Sequence, residues 1–434
     1  MAREQVIHGN QISLSLPRVN PEARFALPGV DANDNAGVWT IDETLLSKHM
    51  MLLGAIGTGK SNATYHLAER IRNTMSSEDI MFIFDTKGDY YRQFYRRGDI
   101  VISNDERATN GYAPDYWNLF REITIDERQS ENAMEIVNAI FGEKLEKTTQ
   151  PFFPNAAKDL LRALILHIIR DHTTYQKGGD NGMLLKAMQN ITPEIFVEVL
   201  KKYPDLRSMI PYIKDANSGQ TLGVFSELQQ GAGEVLIGNF ARTGNLSMRE
   251  MVRKKGGRVV FVEYDLAIGS VLTPIYRLLF DLAIKEALSR RKKEGNVYFI
   301  IDEFRLLPKL THIDDGVNFG RSLGAKFIIG IQNVEQVYHA YGEALGRSLL
   351  SGFSTAIAFR LNDHKSREYI KQLEGQNGRV TAYESINKSK GIIEQYRGAT
   401  VIEDNDIMNL RIGEALVCTN GQLPFRFRFR EYGK

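Results

Sequence analysis

Runs of apolar residues separated by amphipathic segments divide most of this chain into strands and helices. Continuous apolar stretches, which are typical of strands buried on both faces of a parallel sheet, occur at residues 49–53, 80–85, 258–264, 296–302, 325–331 and 355–361. Between them lie segments such as residues 273–293, in which apolar side chains recur every three or four positions, as on one face of a helix. This alternation predicts an α/β fold with a doubly wound, mostly parallel sheet.

The stretch from residue 124 to residue 235 departs from this alternation. It contains helical patterns such as AAKDLLRALILHIIRDH and TPEIFVEVLKKY and little strand signal, so it predicts an inserted all-alpha domain. Residues 1–48 predict a short β-rich segment, and residues 49–123 and 236–434 predict one α/β domain interrupted by the insertion. The C-terminal PFRFRFREY predicts a half-buried strand with a basic face. A solvated edge strand is favoured there over a DNA-contacting one.

A glycine-rich loop follows the first of the apolar runs. MMLLGAIGTGKS, residues 50–61, leads into a helical segment at 62–73, and the order strand, glycine loop, Lys-Ser, helix is that of a phosphate-binding loop. Glycines let backbone N–H groups close around phosphates, and the helix N-terminus adds a partial positive charge. A chance match is the alternative, and the flanking strand and helix weigh against it.

The chemistry of this loop predicts binding of ATP with Mg²⁺. Lys60 would contact the transferred phosphate, and the Ser61 hydroxyl would ligate Mg²⁺. The predicted nucleotide-binding residues are Gly54, Gly57, Thr58, Gly59, Lys60, Ser61 and Asn62. Because the α/β domain contains this loop, it is predicted to be a nucleotide-binding domain. The loop alone does not indicate which process the nucleotide drives.

A pair of carboxylates at the end of another apolar run supplies the second half of an ATP site. Asp302 and Glu303 follow YFII, where Asp302 would hold Mg²⁺ beside Ser61 and Glu303 could polarise the attacking water. The second acid favours an ATPase over a docking module in which ATP only orders a surface. Asp85, at the end of the run 80–85, is the weaker candidate because it lacks an adjacent acid.

Two further polar residues are candidates for the catalytic machinery. Gln332 follows the apolar run 325–331 and could reach the γ-phosphate region, although a strand-end polar residue with a structural role is the alternative. Arg321 precedes the same run and cannot easily reach its own active site from there, but it could reach that of a neighbouring chain. A surface arginine is the alternative for Arg321.

The order and the residue sequences of several motifs resemble those of the coupling proteins of type IV secretion. The motifs are SKHMMLLGAIGTGKS, FIFDTKGDYYRQFYRRGDIVIS, YWNLF, IIDEFRLLPKL, GRSLGAKFIIGIQNVEQVYHAYG and IGEALV. Coupling proteins are hexameric ATPases of conjugation within the DNA-pumping superfamily of FtsK and HerA. The resemblance implies a RecA-like P-loop domain with an inserted all-alpha domain, a homo-hexameric ring around a channel for single- or double-stranded DNA, and secretion-channel or relaxosome-type protein partners.

Composition restricts the surface charge, the disulfide content and the cellular location expected of this protein. The net charge of +2 excludes a generally basic surface for nucleic acid but is compatible with a local basic channel, and the single Cys418 excludes a disulfide framework. The sequence has no signal peptide and no apolar run of about 18 residues, whereas coupling proteins usually begin with two membrane helices. These features predict a cytoplasmic protein, which a separate membrane partner could recruit to the inner face of the cell membrane.

The predicted function is therefore ATP-driven DNA translocation by a ring motor without its own membrane anchor. The alternative is a related cytosolic HerA-like ATPase that pumps DNA or protein for another system, such as antiviral defence. The sequence does not separate these two.

Overall fold

The computed structural model of the chain describes residues 3–171, 179–384 and 392–433. Its strands are β1 (Arg3–His8), β2 (Phe25–Val30), β3 (Ala36–Ile41), β4 (Met50–Leu53), β5 (Ile80–Asp85), β6 (Ile100–Ile102), β7 (Arg258–Glu263), β8 (Val297–Ile301), β9 (Ala325–Ile331), β10 (Thr355–Ala358), β11 (Gln376–Glu384), β12 (Ile392–Thr400), β13 (Glu414–Thr419) and β14 (Phe425–Phe429). Its α-helices are α1 (Glu43–Ser47), α2 (Lys60–Thr74), α3 (Asp89–Phe94), α4 (Leu119–Ile123), α5 (Gln129–Lys147), α6 (Phe152–Arg170), α7 (Asn181–Asn190), α8 (Pro193–Lys202), α9 (Gly219–Val235), α10 (Met248–Lys254), α11 (Gly269–Leu288), α12 (Ile313–Leu323), α13 (Val334–Tyr341), α14 (Glu343–Ser351), α15 (His364–Glu374) and α16 (Asp404–Met408). Short 3₁₀ helices lie at Pro204–Tyr212, Gly238–Ala241 and Phe304–Leu306.

The chain divides into two compact units. The first unit comprises Met1–Ser76, Arg291–Lys309 and Ile313–Lys434, and the second comprises Ser77–Arg290 and Leu310–His312. The second unit therefore accounts for most of the sequence between the glycine loop and the Asp-Glu pair. Both of those motifs belong to the first unit.

Parallel strands form the centre of the main sheet in the first unit. The strand order is β3-β2-β14-β13-β10-β4-β9-β8, and β10, β4, β9 and β8 are parallel to one another. Every residue of β4 and β9 is buried, as their continuous apolar runs predict. From β10 outward to β3 the strands pair antiparallel, which the apolar pattern did not indicate. A separate antiparallel sheet has the order β1-β11-β12.

The phenylalanine–arginine alternation near the C-terminus forms β14, but the prediction of an edge strand is wrong. β14 lies between β13 and β2, because the N-terminal strands β2 and β3 add to the side that the local sequence leaves open. Its phenylalanines are buried, and Phe425 and Phe427 lie against Trp39 with ring centroids 5.7 and 5.9 Å apart. On the other face, Arg428 pairs with Asp34. The half-buried pattern is confirmed, and a solvent-exposed ion pair occupies part of the basic face.

The second unit combines a small parallel sheet with a group of helices. Its strands have the order β5-β7-β6 and are parallel. In the described part of residues 124–235 the chain forms helices and loops without a strand. Helix α6 packs against α5 and α9 and is the most buried of these helices, as its long apolar sequence requires. The boundaries of a separate all-alpha domain stay a prediction.

Hydrogen bonds hold together the two chain segments that flank the helical stretch. The Asn118 N–H donates to the Leu246 carbonyl at 2.9 Å, and the Leu246 N–H donates to the Tyr116 carbonyl at 3.0 Å. The Asn118 side chain adds a bond to the Gly244 carbonyl at 2.9 Å. The helical stretch therefore begins and ends at one place within the second unit, which is the arrangement expected of an insertion.

A buried carboxylate strengthens this junction. Glu122 is fully buried and accepts hydrogen bonds from four donors around the start of α10. The donors are the Trp117 indole N–H (2.8 Å), the Ser247 hydroxyl (2.9 Å) and the backbone N–H groups of Met248 (2.6 Å) and Arg249 (3.2 Å). Burial raises the pKa of Glu122, whereas these hydrogen bonds act in the opposite direction. A negative charge at a helix N-terminus is also favoured by the helix dipole.

Replacing Glu122 with alanine should destabilise the second unit by about 3 kcal/mol or more, because several buried donors lose their acceptor at once. The quantity to measure is the shift in the urea unfolding midpoint of the full chain. Glu127→Ala is the matched control, since it removes an exposed carboxylate from the connection between α4 and α5. An unchanged midpoint for Glu122→Ala would show that the junction does not depend on this carboxylate.

Candidate active site

The glycine-rich loop joins the buried strand β4 to helix α2 at the carboxyl edge of the parallel strands. Gly57 and Gly59 have positive φ values of 76° and 109°, a backbone region that residues with a Cβ rarely adopt. Helix α2 begins at Lys60, directly after this turn. The backbone N–H groups of its first turn therefore lie at the loop, which is a suitable place for an anion.

Neighbouring strands fix the loop from both sides. The Gly54 N–H donates to the Ile331 carbonyl at 3.2 Å, and the Ala55 N–H donates to the Arg360 carbonyl at 3.1 Å. Gly54 also has no room for a side chain, because a Cβ there would lie 2.7 Å from the Cβ of Phe359. The loop conformation is therefore held by β9 on one side and by the segment after β10 on the other.

Lys60 lies partly enclosed by the loop. Its ammonium donates to the carbonyl oxygens of Gly54 and Ala55, the second at 3.2 Å. Burial lowers the pKa of Lys60, and the negative charges of Glu303 and Asp302 oppose that shift. The predicted phosphate-binding lysine is thus placed in the curve of the loop, near both predicted carboxylates.

The structure brings Ser61 and Asp302 into direct contact. The Ser61 hydroxyl donates to Asp302 Oδ2 at 2.8 Å, and the Thr64 hydroxyl donates to Oδ1 of the same carboxylate at 3.2 Å. Burial raises the pKa of Asp302, and the two hydroxyls and the Lys60 charge act in the opposite direction. Thr64 was not predicted, although its position one turn after Lys60 places it on the same face of α2.

The oxygen atoms of Ser61 and Asp302 fit a magnesium ion. Mg²⁺ prefers hard oxygen ligands and is usually bound by one or two carboxylates together with phosphate oxygens and water. Within the described part of the chain there is no group of three or more His, Cys, Asp or Glu residues that could hold a metal. Ser61 and Asp302 would supply two ligands, and phosphate oxygens and water would supply the rest.

Glu303 and Gln332 meet at the same edge of the sheet. Gln332 Nε2 donates to Glu303 Oε2 at 3.0 Å, and Arg305 Nε donates to Oε1 at 2.9 Å. The contact arises because β8 and β9 are adjacent parallel strands, so the residues that follow them lie side by side. The sequence predicted Gln332 for this region but not Arg305, whose only signal is its position two residues after Glu303.

Arg321 lies away from these residues. It is exposed in the last turn of α12, just before β9 begins at Ala325, whereas the glycine loop lies at the carboxyl edge of the same strands. The seven residues of β9 span roughly 20 Å. Arg321 is also near His49, which directly precedes β4. Burial lowers the pKa of His49 to about 4, and the nearby charges of Lys326 and Arg321 add to the shift. Arg321 is therefore on the amino edge of the sheet.

The side chain of Asn62 forms hydrogen bonds with the C-terminal segment. Its Nδ2 donates to the Arg430 carbonyl at 2.9 Å, and its Oδ1 accepts from the Tyr432 N–H at 2.8 Å. The predicted contact between Asn62 and a phosphate is therefore left to its backbone N–H.

Asp85, the weaker candidate for the metal ligand, has a local structural role in the second unit. Its carboxylate accepts backbone N–H groups from the turn that follows β5, namely those of Lys87, Asp89 and Tyr91. Burial raises the pKa of Asp85, and the hydrogen bonds from Tyr91 and Lys87 oppose the shift. This carboxylate closes the turn of the DTKGD motif.

Residues 34–428 match the family model of the type IV secretion-system coupling protein DNA-binding domain. The chain belongs to this family. The coupling protein VirD4 of Bartonella quintana is 21% identical over 348 residues, which cover 76% of this chain and 54% of VirD4. The coupling protein TraD of Escherichia coli K12 is 22% identical over 372 residues, which cover 83% of this chain and 48% of TraD. The chain thus spans about half the length of these curated relatives.

Solved structures of the bacterial conjugative coupling protein TrwB have the same fold. A trigonal form of TrwBΔN70 in complex with sulfate has a TM-score of 0.72 and 19% identity, covering 98% of this chain and 94% of that chain. TrwB in complex with the ATP analogue ADPNP has a TM-score of 0.71 and 18% identity, with the same coverage. This likeness confirms the predicted RecA-like α/β P-loop fold with a helical domain. Placement in the wider FtsK and HerA superfamily stays a prediction.

The described residues contain no helix that combines the length and the apolar composition needed to cross a membrane.

Proposed function

We propose that this chain is an ATP-hydrolysing motor that moves DNA, as a coupling protein of conjugation or type IV secretion. The observation that carries the proposal is the 2.8 Å hydrogen bond between Ser61 and Asp302, which joins two motifs 241 residues apart into one site for Mg²⁺ and phosphate. TrwB has been solved with ADP and Mg²⁺ and with nonhydrolysable nucleotide analogues. Membership of a family whose common domain is described as DNA-binding supports DNA as the client.

Each residue of the site has a role that follows from its position. The loop N–H groups and Lys60 bind the phosphates, and Ser61 and Asp302 hold Mg²⁺, which supplies neutralisation of phosphate charge when bound. Glu303, which directly follows the metal ligand Asp302, polarises the attacking water. Gln332 and Arg305 hold the Glu303 carboxylate in place.

The direct test of the proposal is the rate of ATP hydrolysis with and without DNA. We expect Mg²⁺-dependent hydrolysis that rises when single- or double-stranded DNA is added, because a translocating motor couples turnover to its client. Glu303→Gln should still bind ATP, since Ser61 and Asp302 remain, but should lose hydrolysis by roughly 10²-fold or more.

Glu343→Gln is the matched control, because it neutralises an exposed carboxylate on α14 of the same unit and should hydrolyse ATP normally. Normal hydrolysis by Glu303→Gln would remove the water-polarising role from this residue. Hydrolysis that neither form of DNA stimulates would favour the alternative of an ATPase with a protein client.

The position of Arg321 suggests that the active site is completed by a second copy of the chain. Arg321 and the glycine loop lie on opposite edges of the same strands, so this side chain cannot reach the phosphates of its own chain. In a homo-hexameric ring, which the family resemblance implies, the amino edge of one subunit could face the loop of the next. Arg321 would then stabilise negative charge on the neighbour's γ-phosphate in the transition state.

Arg321→Ala should bind ATP normally but hydrolyse it roughly 10³-fold more slowly, as other arginine fingers do. Mixing Arg321→Ala with Glu303→Gln should restore part of the activity, because some interfaces then pair an intact Glu303 with an intact Arg321. Asn318→Ala, on the exposed side of the same helix, is the control and should remain active. Full activity of Arg321→Ala alone, or no recovery in rings shown to be mixed, would rule out a finger in trans.

A further inference from the structure

The candidate catalytic residues Glu303 and Gln332 both lie on one side of the glycine loop. Glu303 and Gln332 follow β8 and β9, which lie on one side of β4 in the sheet. The reacting end of a nucleotide therefore belongs on that side, and its α-phosphate, ribose and base must extend towards the other. There the sheet continues from β4 to β10, β13 and β14.

The turn before β13 contacts the glycine loop directly. The Gly413 N–H donates to the Thr58 carbonyl at 2.9 Å, and a Cβ on Gly59 would lie 2.9 Å from the Cα of Gly413. Ile412, the preceding residue, is 70% exposed. Arg411 fixes the turn by pairing with two carboxylates at 3.0 and 3.2 Å. A large apolar side chain is thus held in solvent beside the loop.

The end of β14 is fixed to the first turns of α2. The Arg430 carbonyl accepts from Asn62 Nδ2 at 2.9 Å, and His66 Nε2 lies 2.9 Å from the same oxygen. The Phe429 N–H donates to the Gly413 carbonyl at 2.9 Å, which joins this segment to the turn. The Arg430 side chain is exposed, and among the described residues the structure shows no ion pair for its guanidinium.

We propose that Arg430 binds the α-phosphate and that Ile412 packs against the base of a nucleoside di- or triphosphate held at the loop. On a loop of this type, backbone N–H groups at the start of the helix cradle the α- and β-phosphates, and the hydrogen bond from Asn62 to the Arg430 carbonyl places the backbone of Arg430 beside that point. A guanidinium matches the geometry of a phosphate group, and an aliphatic side chain covers the apolar face of a base. The inference rests on the proposed nucleotide-binding function.

The test compares two ligands, a nonhydrolysable ATP analogue and inorganic tripolyphosphate, in calorimetric titrations of the full chain with Mg²⁺. Arg430→Ala should weaken both ligands about tenfold, because both present a phosphate to the guanidinium. Ile412→Ala should weaken only the ATP analogue, by roughly fivefold, because tripolyphosphate has no base to bury. Arg430→Lys should recover part of the loss through its charge.

Arg18→Ala and Leu423→Ala are matched controls, since both residues are exposed in the same unit and neither contacts the loop, and both should bind as the native chain does. Unchanged binding by Arg430→Ala, or equal weakening of both ligands by Ile412→Ala, would overturn the proposal. Lys60→Ala distinguishes a failure of this inference from a failure of the proposed nucleotide site. If Lys60→Ala abolishes binding while the other two variants bind normally, only this inference fails; if Lys60→Ala also binds normally, the nucleotide site itself is wrong.

Discussion

The hydrogen bond between Ser61 and Asp302 is the interaction on which the rest of the site depends. It forms because β4, β9 and β8 are adjacent parallel strands, so that the loop after β4 and the carboxylate after β8 share one edge of the sheet. Burial raises the pKa of Asp302 and lowers that of Lys60, which disfavours both charged forms, whereas the attraction between the two charges and the hydroxyl hydrogen bonds to Asp302 oppose these shifts. A magnesium ion and phosphates would supply the charges with which Asp302 and Lys60 pair in a nucleotide-bound site.

The same sheet separates Arg321 from the groups of the candidate active site. The glycine loop, Glu303 and Gln332 lie at the carboxyl edge, and Arg321 lies at the amino edge. A residue fixed to the far edge cannot take part in its own chain's reaction, so any catalytic use of Arg321 requires assembly. If Arg321 is the proposed finger in trans, hydrolysis would depend on the arrangement of neighbouring subunits, as the proposed ring motor requires.

Much of this site could be predicted from the sequence, because its parts are local motifs. The glycine loop is one continuous segment, and Asp302 and Glu303 follow an apolar run that marks a buried strand. Gln332 could be placed beside Glu303 once the runs that precede them were assigned to a parallel sheet. Thr64 could have been found by its helical spacing from Ser61. The ends of helices were harder to predict than their presence. The helical pattern extends to Lys293 because its basic residues favour helix, whereas α11 ends at Leu288.

Features built by distant pairing could not be predicted. β14 was assigned to an edge because nothing near residue 425 indicates that β2, almost four hundred residues earlier, pairs with it. The contacts of Gly413 with Thr58 and of Arg430 with Asn62 arise from that same antiparallel extension. Asn62 was assigned to the nucleotide by its place in the motif, whereas its side chain joins this extension to α2. Such contacts depend on the whole fold rather than on any local pattern.

The most direct measurement of the central claim is a metal-rescue experiment at Ser61. If the Ser61 hydroxyl ligates the metal beside Asp302, then Ser61→Cys should lose ATP hydrolysis with Mg²⁺, which demands hard oxygen ligands, and should regain a substantial part of it with Mn²⁺, which accepts sulfur better. Ser61→Ala, which offers no ligand atom, should be inactive with both metals. Native-like activity of Ser61→Cys with Mg²⁺, or no recovery with Mn²⁺, would contradict the assignment of Ser61 and Asp302 as one metal site.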